Sequence, residues 1–359
     1  MMKLRLGVIG AGSWALASHL PNFARRDEVE MVAVARRGRK LLEKVREEYG
    51  FRVASEDYRD VLDAGVDICL VSSPTGFHHE HAKAAMEAGA HVLVEKPFTI
   101  SPADAWDLVD TAERLGRHLV VAFGWNHKPM VRDVKRLMDE HGIGRVEQMM
   151  VHMASVTREL LSNTGAYPDA SPESVPEQGT WTDPALSGGG YGQAQLSHAL
   201  ALALWLTGLR GEAAFALMSA PLDAPVELHD AICVRFGGGA IGTVAGGSCH
   251  EGAGANKHQL EVRAIGSEGQ VHVDVEREIG WLWTGRGRVD IRLDLEPGDG
   301  AYDCVGPPDT LVDLALGRDA VNHSPGELGA RTVELLDAAY RSARSGRLEP
   351  VERSPVAAA

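Results

Sequence analysis

Short apolar segments alternate with amphipathic segments through the first third of the chain, and this alternation most constrains the fold. The apolar segments are bounded by Gly, Pro or charged residues, which is typical of buried strands. Strands that alternate with helices form right-handed βαβ units and a parallel sheet. The predicted strands are Leu4–Ile9, Glu30–Ala35, Val66–Ser72, Ala90–Glu95 and His118–Phe123, and the predicted helices include Leu41–Tyr49, His79–Ala88 and Pro102–Leu115.

The pattern changes after the first third. The segments "HDAICVRFGGGAIGTVAGGS" and "HQLEVRAIGSEGQVHVDVE" pair extended runs around glycine turns, which predicts antiparallel hairpins. A chain of 359 residues is also too long for one hydrophobic core. We therefore expect an α/β protein: a doubly wound, parallel Rossmann sheet over residues 1–124, then an α+β domain over 125–359 with a large, mostly antiparallel open sheet.

Composition excludes several classes of partner. The formal net charge of −14 would repel phosphate backbones and anionic lipids, so we expect neither nucleic acid nor membrane as a partner. No segment approaches the ~20 apolar residues of a membrane span, and the N-terminus lacks the pattern of a signal peptide. The 4 cysteines form no C-x-x-C pair, which favours reduced thiols and a cytoplasmic location.

The segment "GVIGAGSWA" carries the first chemical motif. Gly10 and Gly12 follow a predicted strand and precede a predicted helix, with Ala15 at the third glycine position. In this context G-x-G permits a tight turn and the approach of a pyrophosphate to helix N-terminal amides. An ordinary glycine turn is the alternative. The predicted cofactor contacts here are Gly10, Ala11, Gly12, Ser13 and Trp14.

Two arginines bear on the choice of cofactor. The second strand of a dinucleotide fold usually ends in an acid that binds the adenosine ribose, but this chain has Arg36 and Arg37 there. Guanidinium groups pair with a 2′-phosphate, so NADP is favoured over NAD, which stays an alternative. A solvated basic helix start is the other interpretation.

Two further segments, "SSPTGFHHEHAKAAMEAGAHVLVEKP" and "AFGWNHKPMVRDVKRLMDEHGIGRV", complete a pattern that resembles the Gfo/Idh/MocA family over nearly the whole chain. The resemblance implies a two-domain NAD(P)-dependent oxidoreductase acting mainly on sugars and cyclitols. It also implies that Lys96 lies between nicotinamide and substrate, and that Thr75 replaces the family's asparagine. The residues that it places near the cofactor are Ser73, Pro74, Thr75, His78, Glu95 and Pro97.

Lys96 follows a predicted parallel strand, at the sheet edge where ligands bind. Its ammonium would stabilise a developing alkoxide, whereas the alternative is a structural lysine. The nearby "HHEH" places His78, His79 and His81 close together, but no cysteine or carboxylate cluster completes a metal site. We therefore predict an ordinary helix start and no metal.

The segment "SGGGYGQAQLSHALALALWLTG" matches a glycine turn and helix that carry D-x-x-x-H in the family. His198 matches the histidine, which implies a general base in oxidation and a general acid in reduction. Ala194 stands where the acid is expected, and Ala201 replaces a later aspartate. Without a carboxylate neighbour His198 should be a weaker base. A buried core histidine is the alternative.

Aromatic, amide and imidazole side chains suit the C–H faces and hydroxyls of a sugar. Core packing is the alternative for both tryptophans. The predicted substrate contacts are Trp125, Asn126, His127, Trp181, Tyr191 and Gln195.

The sequence thus predicts hydride transfer between a nicotinamide and a secondary alcohol or ketone of a sugar, glycoside or cyclitol. One alternative is a glycosidase that oxidises C3 transiently with a retained cofactor, and another is a non-catalytic NADP-binding regulatory protein. The open sheet of the second domain predicts a homo-oligomer, a dimer or tetramer, because an uncovered apolar face favours a symmetric partner.

Overall fold

The structure is a computed structural model that describes residues 3–167, 179–250, 258–285 and 289–352. The strands are β1 (Leu4–Ile9), β2 (Val29–Ala35), β3 (Val53–Ser55), β4 (Ile68–Val71), β5 (His91–Val94), β6 (Leu119–Val121), β7 (Val146–Ser155), β8 (Gly211–Ser219), β9 (His229–Phe236), β10 (Ile241–Ser248), β11 (His258–Gly266), β12 (Gly269–Asp274), β13 (Ile279–Thr284), β14 (Val289–Arg292) and β15 (Glu349–Pro350). The helices are α1 (Leu20–Ala24), α2 (Arg39–Tyr49), α3 (Tyr58–Asp63), α4 (His78–Glu87), α5 (Pro102–Leu115), α6 (Pro129–His141), α7 (Arg158–Leu161), α8 (Pro184–Ser187), α9 (Ser197–Thr207), α10 (Gly306–Ala315) and α11 (Gly326–Ser345).

The first sheet is parallel and has the strand order β3-β2-β1-β4-β5-β6. This order confirms the predicted doubly wound Rossmann sheet, and all five predicted strands are present. The alternation of apolar and amphipathic segments in the sequence did not predict β3 or α3. The three residues of β3 are only half-buried, so they lack the continuous apolar run that marks a central parallel strand.

Within the described residues, the second sheet has nine strands in the order β14-β13-β12-β11-β7-β10-β9-β8-β15, of which only β7 and β10 pair in parallel. The predicted hairpins are confirmed as the antiparallel pairs β9–β10 and β11–β12. One face of this sheet packs against α9 and α11. The opposite face carries exposed apolar side chains, among them Leu217, Ile241 and Trp283.

The last two helices connect the sheets. Helix α10 packs against β5 and β6, and α11 lies between α5 and β8. Arg26, which lies between α1 and β2, forms ion pairs with Asp309 (2.9 Å) and Asp313 (2.7 Å) of α10. In α11, Glu334 accepts a 2.6 Å hydrogen bond from Trp106 Nε1. Among the described residues, none of the helices combines the length and apolarity needed to cross a membrane.

The glycine triplet before α9, Gly188–Gly190, is held by a partly buried carboxylate. Glu227 accepts hydrogen bonds from the backbone amides of Gly190 (2.8 Å) and Gly192 (3.1 Å), and from the hydroxyl of Tyr340 (2.5 Å). A Cβ atom on Gly190 would lie 2.2 Å from the backbone oxygen of Glu227, so no side chain fits there. The triplet therefore serves close backbone packing.

Asp230 lies in β9 close to this carboxylate. It is buried, and neither of its carboxylate oxygens has a hydrogen-bond partner among the described residues. Burial, with the neighbouring charge of Glu227, raises the pKa of Asp230 to about 8. The folded protein therefore keeps this proton at pH values where an unfolded chain has lost it.

We expect Asp230→Asn to stabilise the protein increasingly as pH rises from about 5 to about 8. Because the pKa is raised in the folded state, wild-type stability falls across this window, by at most about 1.4 kcal/mol per pH unit. Urea unfolding at several pH values measures the difference. Asp223→Asn, at an exposed position, is the control. A difference between wild type and Asp230→Asn that does not change with pH would contradict the assignment.

Candidate active site

The glycine turn lies where the strand order of the first sheet reverses, between β1 and β4. Gly10 has a φ of 90°, and a Cβ atom there would lie 2.3 Å from the backbone nitrogen of Ser73. At Gly12, by contrast, no atom comes closer than 4.0 Å to the corresponding position. The helix that follows starts at residue 13. The turn is therefore open on the side where a dinucleotide pyrophosphate binds, so the residues fit this cofactor.

Arg36 lies beside the same turn. Its Nη1 donates to the backbone oxygen of Ala11 (3.0 Å), and its Nε donates to the backbone oxygen of Arg37 (3.1 Å). Arg37 is exposed. The structure thus places a guanidinium group next to the glycine turn, as a contact with the adenosine end of a dinucleotide requires.

His78 connects the loops after β4 and β5. Its Nε2 lies 2.7 Å from the backbone oxygen of Ser73, and its Nδ1 lies 2.9 Å from that of Pro97. Pro74 and Thr75 lie between these contacts in the chain, where Thr75 begins a short 3₁₀ turn. Burial lowers the pKa of His78, although the surrounding carbonyls and Glu95 oppose it. The imidazole therefore fixes the backbone around the predicted cofactor site.

The other histidines of this helix have separate partners. His79 Nε2 lies 2.6 Å from Asp107 Oδ2, and His81 Nδ1 lies 2.9 Å from Ser73 Oγ. They do not converge on a common point.

A different group of potential metal ligands occurs within the described ranges. Glu261, His272 and Asp274 lie together on β11 and β12 of the second sheet. Arg263 and Arg277 already face the two carboxylates, at 3.3 and 3.6 Å, so we interpret the group as an ion-pair network.

Glu95 and Lys96 are buried directly after β5. The backbone amide of Lys96 donates to Glu95 Oε2 (2.9 Å), and the Lys96–Pro97 peptide is cis. The ammonium of Lys96 donates to the backbone oxygen of Ala194 (2.9 Å) and lies 5.8 Å from the ring centre of Trp181. Burial lowers the pKa of Lys96, and the charge of Glu95 opposes this effect. Lys96 therefore lies at the contact between the first sheet and the start of α9.

The chain around Ala194 departs from α-helical geometry. A π-helical turn, Gly192–Leu196, precedes α9, and the backbone amide of Ser197 bonds to the oxygen of Gly192, five residues earlier. The carbonyl oxygen of Ala194 accepts a hydrogen bond from the ammonium of Lys96. A main-chain oxygen thus contacts the lysine at the position where the family pattern has a carboxylate.

His198 follows this turn in the first part of α9 and is buried. Its ring makes edge contacts with Phe123 and Tyr302, at centroid distances of 6.2 and 5.6 Å. Within the described part of the chain, nothing hydrogen-bonds to its Nδ1. Burial, followed by the charges of Lys96 and His258, lowers the pKa of His198 well below its usual range. The imidazole is therefore neutral at neutral pH and has a ring nitrogen without a protein partner.

Two residues of this site were not predicted, Tyr302 and His258. Tyr302 lies 4.6 Å from Trp125, 5.7 Å from His258 and 6.3 Å from Trp14, measured between ring centres. Its hydroxyl would lie 2.9 Å from a Cβ atom on Gly124, so the glycine makes room for it. Burial raises the pKa of Tyr302 well above its usual range, which keeps the phenol protonated.

The sequence offered no clear signal for these residues. Tyr302 lies in the loop before α10, and His258 begins β11. Neither is close in the chain to the glycine turn or to Lys96. Cys304, from the same loop, is also buried, and burial raises the pKa of its thiol to about 12. Only folding brings this loop to the end of β5.

The predicted substrate contacts divide into two groups. Trp125 lies among the site's aromatic rings, and Trp181 lies beside Lys96. Gln195 is buried in the π-helical turn.

The other three already have protein partners. The hydroxyl of Tyr191 donates to the backbone oxygen of Met153 (3.0 Å). The amide of Asn126 donates to the backbone oxygen of His323 (3.2 Å). His127 lies 2.9 Å from Ser324 Oγ. These contacts stabilise the fold around the site, and a substrate role for the three residues stays a prediction.

Family comparison agrees with this geometry. Residues 4–123 match the model of the oxidoreductase family with an NAD-binding Rossmann fold, and residues 131–272 match the GFO/IDH/MocA C-terminal domain. The chain belongs to the GFO/IDH/MocA family. The family resemblance of the sequence is thereby confirmed.

Two curated relatives share part of this sequence. D-glucoside 3-dehydrogenase of Escherichia coli (strain K12) is 32% identical over 188 residues, 52% of this chain and 49% of that protein. Glycosyl hydrolase family 109 protein 2 of Shewanella sp. (strain ANA-3) is 31% identical over 179 residues, 46% of this chain and 36% of that protein. The chain thus spans half or less of these relatives' length.

A solved structure has the same fold over the whole chain. Levoglucosan dehydrogenase, in complex with NADH and L-sorbose, aligns with a TM-score of 0.75 at 22% identity and covers 99% of this chain and 100% of that one. At this identity, the likeness supports the two-domain fold.

We expect Ala194→Asp to raise the pKa of His198. Because the backbone oxygen of Ala194 already contacts Lys96, a carboxylate at this position would lie near both functional groups and would favour the imidazolium. NMR titration of the histidine without substrate measures the change. Ala194→Asn, similar in size but uncharged, is the control, and melting temperatures identify variants that lose the fold. A folded Ala194→Asp protein with an unchanged His198 titration would contradict the expectation.

Proposed function

We propose that this protein is an NAD(P)-dependent dehydrogenase or reductase that acts on a secondary alcohol, or its ketone, of a sugar, glycoside or cyclitol. The observation that carries the proposal is the pair formed by Lys96 and His198. One offers a buried ammonium, and the other offers a buried ring nitrogen to which none of the described residues hydrogen-bonds. Both lie beside the carboxyl end of β5. The names of the curated relatives and of the levoglucosan complex support this substrate class.

In the proposed mechanism, Lys96 stabilises the developing charge and His198 transfers the proton. A bound nicotinamide dinucleotide would supply the hydride acceptor or donor. Lys96 binds the oxygen at the reacting carbon and stabilises the negative charge that develops there. His198, neutral because burial lowers its pKa, accepts the hydroxyl proton in oxidation and returns it in reduction.

The surrounding aromatic residues suit a carbohydrate. Trp181 and Trp125 approach the site from different segments, and Tyr302 lies against Trp125. Flat rings pack against the C–H faces of a sugar ring, while the buried amide of Gln195 is suited to its hydroxyls. Binding of this kind orients the reacting carbon toward Lys96 and His198.

The cofactor that we favour is NADP. Arg36 is anchored beside the glycine turn through the backbone oxygen of Ala11, and Arg37 follows it on the surface. A guanidinium at this place pairs with a 2′-phosphate. NAD is the alternative, and the structural relatives in complex with NAD or NADH support it.

One specific observation favours a second function. The similarity to a glycosyl hydrolase family 109 protein supports a glycosidase that oxidises C3 transiently and keeps its cofactor. Such an enzyme would show cofactor absorbance that returns to its starting value after each turnover.

We also propose a homo-oligomer formed through the second sheet, and a cytoplasmic location. Leu217, Ile241 and Trp283 expose 66%, 58% and 43% of their surface on the face opposite α9, and a second copy would cover them. All 4 cysteines are free, which agrees with a reducing compartment.

A substrate screen tests the main proposal. Sugars, glycosides and inositols are offered with NADP and with NAD, and reduced cofactor is followed by absorbance. We expect net reduction with at least one member of these classes. Tight cofactor binding without turnover of any carbohydrate would instead support the regulatory alternative.

We expect Lys96→Ala to lower the chemical rate by about 100-fold or more, because it removes a contact made in the transition state. His198→Ala should also reduce turnover severely, because it removes the proton acceptor. Single-turnover kinetics measure the rates, and calorimetry checks that the cofactor still binds. Lys3→Ala, at an exposed position before β1, is the control. Near-normal rates in either site variant would remove that residue from the mechanism.

We expect Arg36→Asp to weaken NADP binding by about 1–3 kcal/mol, the scale of charge-assisted hydrogen bonds, and NAD binding less. Calorimetry with both cofactors measures the effect. Arg46→Asp, on the same side of the sheet in α2, changes the net charge equally and serves as the control. Equal losses for both cofactors, or a wild-type protein that prefers NAD, would refute the NADP assignment.

A further inference from the structure

The carboxylate of Glu95 has two different partners. Its Oε2 accepts the backbone amide of Lys96, and its Oε1 lies 2.5 Å from Nε2 of His19. His19 is completely buried, and nothing among the described residues hydrogen-bonds to its Nδ1. The imidazole therefore has one polar contact in the described structure, and that contact is with Glu95.

His19 reaches Glu95 from an unusual backbone segment. It ends a π-helical turn, Ala15–His19, directly after the glycine turn. A second π-helical turn, Gly192–Leu196, supplies the carbonyl of Ala194 that accepts Lys96 Nζ. Turns of this type are rare and frequently occur at functional sites. Here each turn contacts one residue of the same dipeptide, Glu95–Lys96.

Burial disfavours the charged form of Lys96, and the negative charge of Glu95 favours it. Burial lowers the pKa of Lys96, and the negative charge of Glu95 opposes it. Burial would by itself raise the pKa of Glu95, but interactions with His19, followed by those with Lys96, together outweigh it and lower that pKa. The titratable groups whose charges or hydrogen bonds act on this dipeptide are His19, His78, His198, Tyr302 and Cys304.

We propose that His19 is a positioning residue for the reaction: by donating to Glu95 it keeps a carboxylate behind Lys96, and so maintains the ammonium that binds the substrate oxygen. A purely structural role would suit an apolar side chain, as at the neighbouring buried positions Leu20 and Phe23. An imidazole with a single polar contact costs free energy at a buried position, which a structural role would not explain.

The inference rests on the proposed function for its consequence in catalysis, but its electrostatic part is measurable without substrate. NMR of isotope-labelled lysine side chains gives the titration midpoint of Lys96, and Lys96→Met assigns the signal. His19→Leu removes the donor, so Glu95 becomes easier to protonate and Lys96 loses the neighbouring charge. We expect the Lys96 midpoint to fall by about one pH unit or more.

Three further variants make the result specific. His19→Gln keeps an N–H donor and should restore most of the wild-type midpoint. Asn22→Leu makes a similar polar-to-apolar change close by in α1 and should leave Lys96 unchanged. The Asn22 amide donates to the backbone oxygen of Ser18 and accepts from Arg25 Nε, and neither contact involves Glu95 or Lys96. In a Glu95→Gln background, His19→Leu should have no additional effect, because the charge that it protects is already absent.

An unchanged Lys96 midpoint in folded His19→Leu overturns the proposal, as does an equal shift in Asn22→Leu. If His19→Leu does not fold, His19→Asn, whose shorter side chain does not reach Glu95 Oε1, replaces it with the same expected outcomes. With an active substrate, the alkaline limb of the pH–rate profile should move to lower pH in the same variants. A shifted Lys96 midpoint in a protein that turns over no carbohydrate would refute the proposed function and support the role of His19.

Discussion

Burial of the Lys96 ammonium between the two sheets is the constraint on which the site depends. A buried charge is costly unless hydrogen bonds and an opposite charge compensate it. Here the compensation comes from three separate parts of the chain. Glu95 supplies the negative charge, Ala194 supplies a carbonyl oxygen, and His19 holds the carboxylate in place. The lysine is therefore fixed only when the turn before α9 is packed against the end of β5.

The start of α9 is positioned by a second set of buried interactions. Glu227 accepts hydrogen bonds from the amides of Gly190, the last residue of the glycine triplet, and Gly192, and Tyr340 of α11 donates to the same carboxylate. Helix α11 also packs against α5 of the first sheet. The position of His198 in α9 thus depends on contacts that extend from the last helix to both sheets.

Position 194 carries no acid, and this shapes the electrostatics of the site. Without a carboxylate, burial and the charges of Lys96 and His258 lower the pKa of His198, and the imidazole stays neutral. The carbonyl of Ala194 contacts the lysine without adding charge. In the proposed mechanism, His198 is therefore neutral before the reaction and can accept the proton of the substrate hydroxyl.

The sequence by itself determined the first sheet, the glycine turn, the hairpins of the second sheet and the family. These features are local: apolar runs, glycines at turns and motif spacing are all encoded over a few residues. The sequence also singled out Lys96 and His198, and the structure places both near the end of β5. Their roles in catalysis stay proposals.

Only the tertiary structure decided which other side chains surround these two residues. Tyr302 and His258 reach the site from distant segments, so no spacing in the sequence could associate them with it. His19 follows the glycine turn in the chain, but only folding brings it to Glu95. Conversely, His127 and Tyr191 lie close in the chain to site residues, but folding directs their polar atoms to Ser324 and Met153. The physical reason is that a motif specifies a backbone position, whereas the partners of a buried polar atom are set by the segments that pack around it.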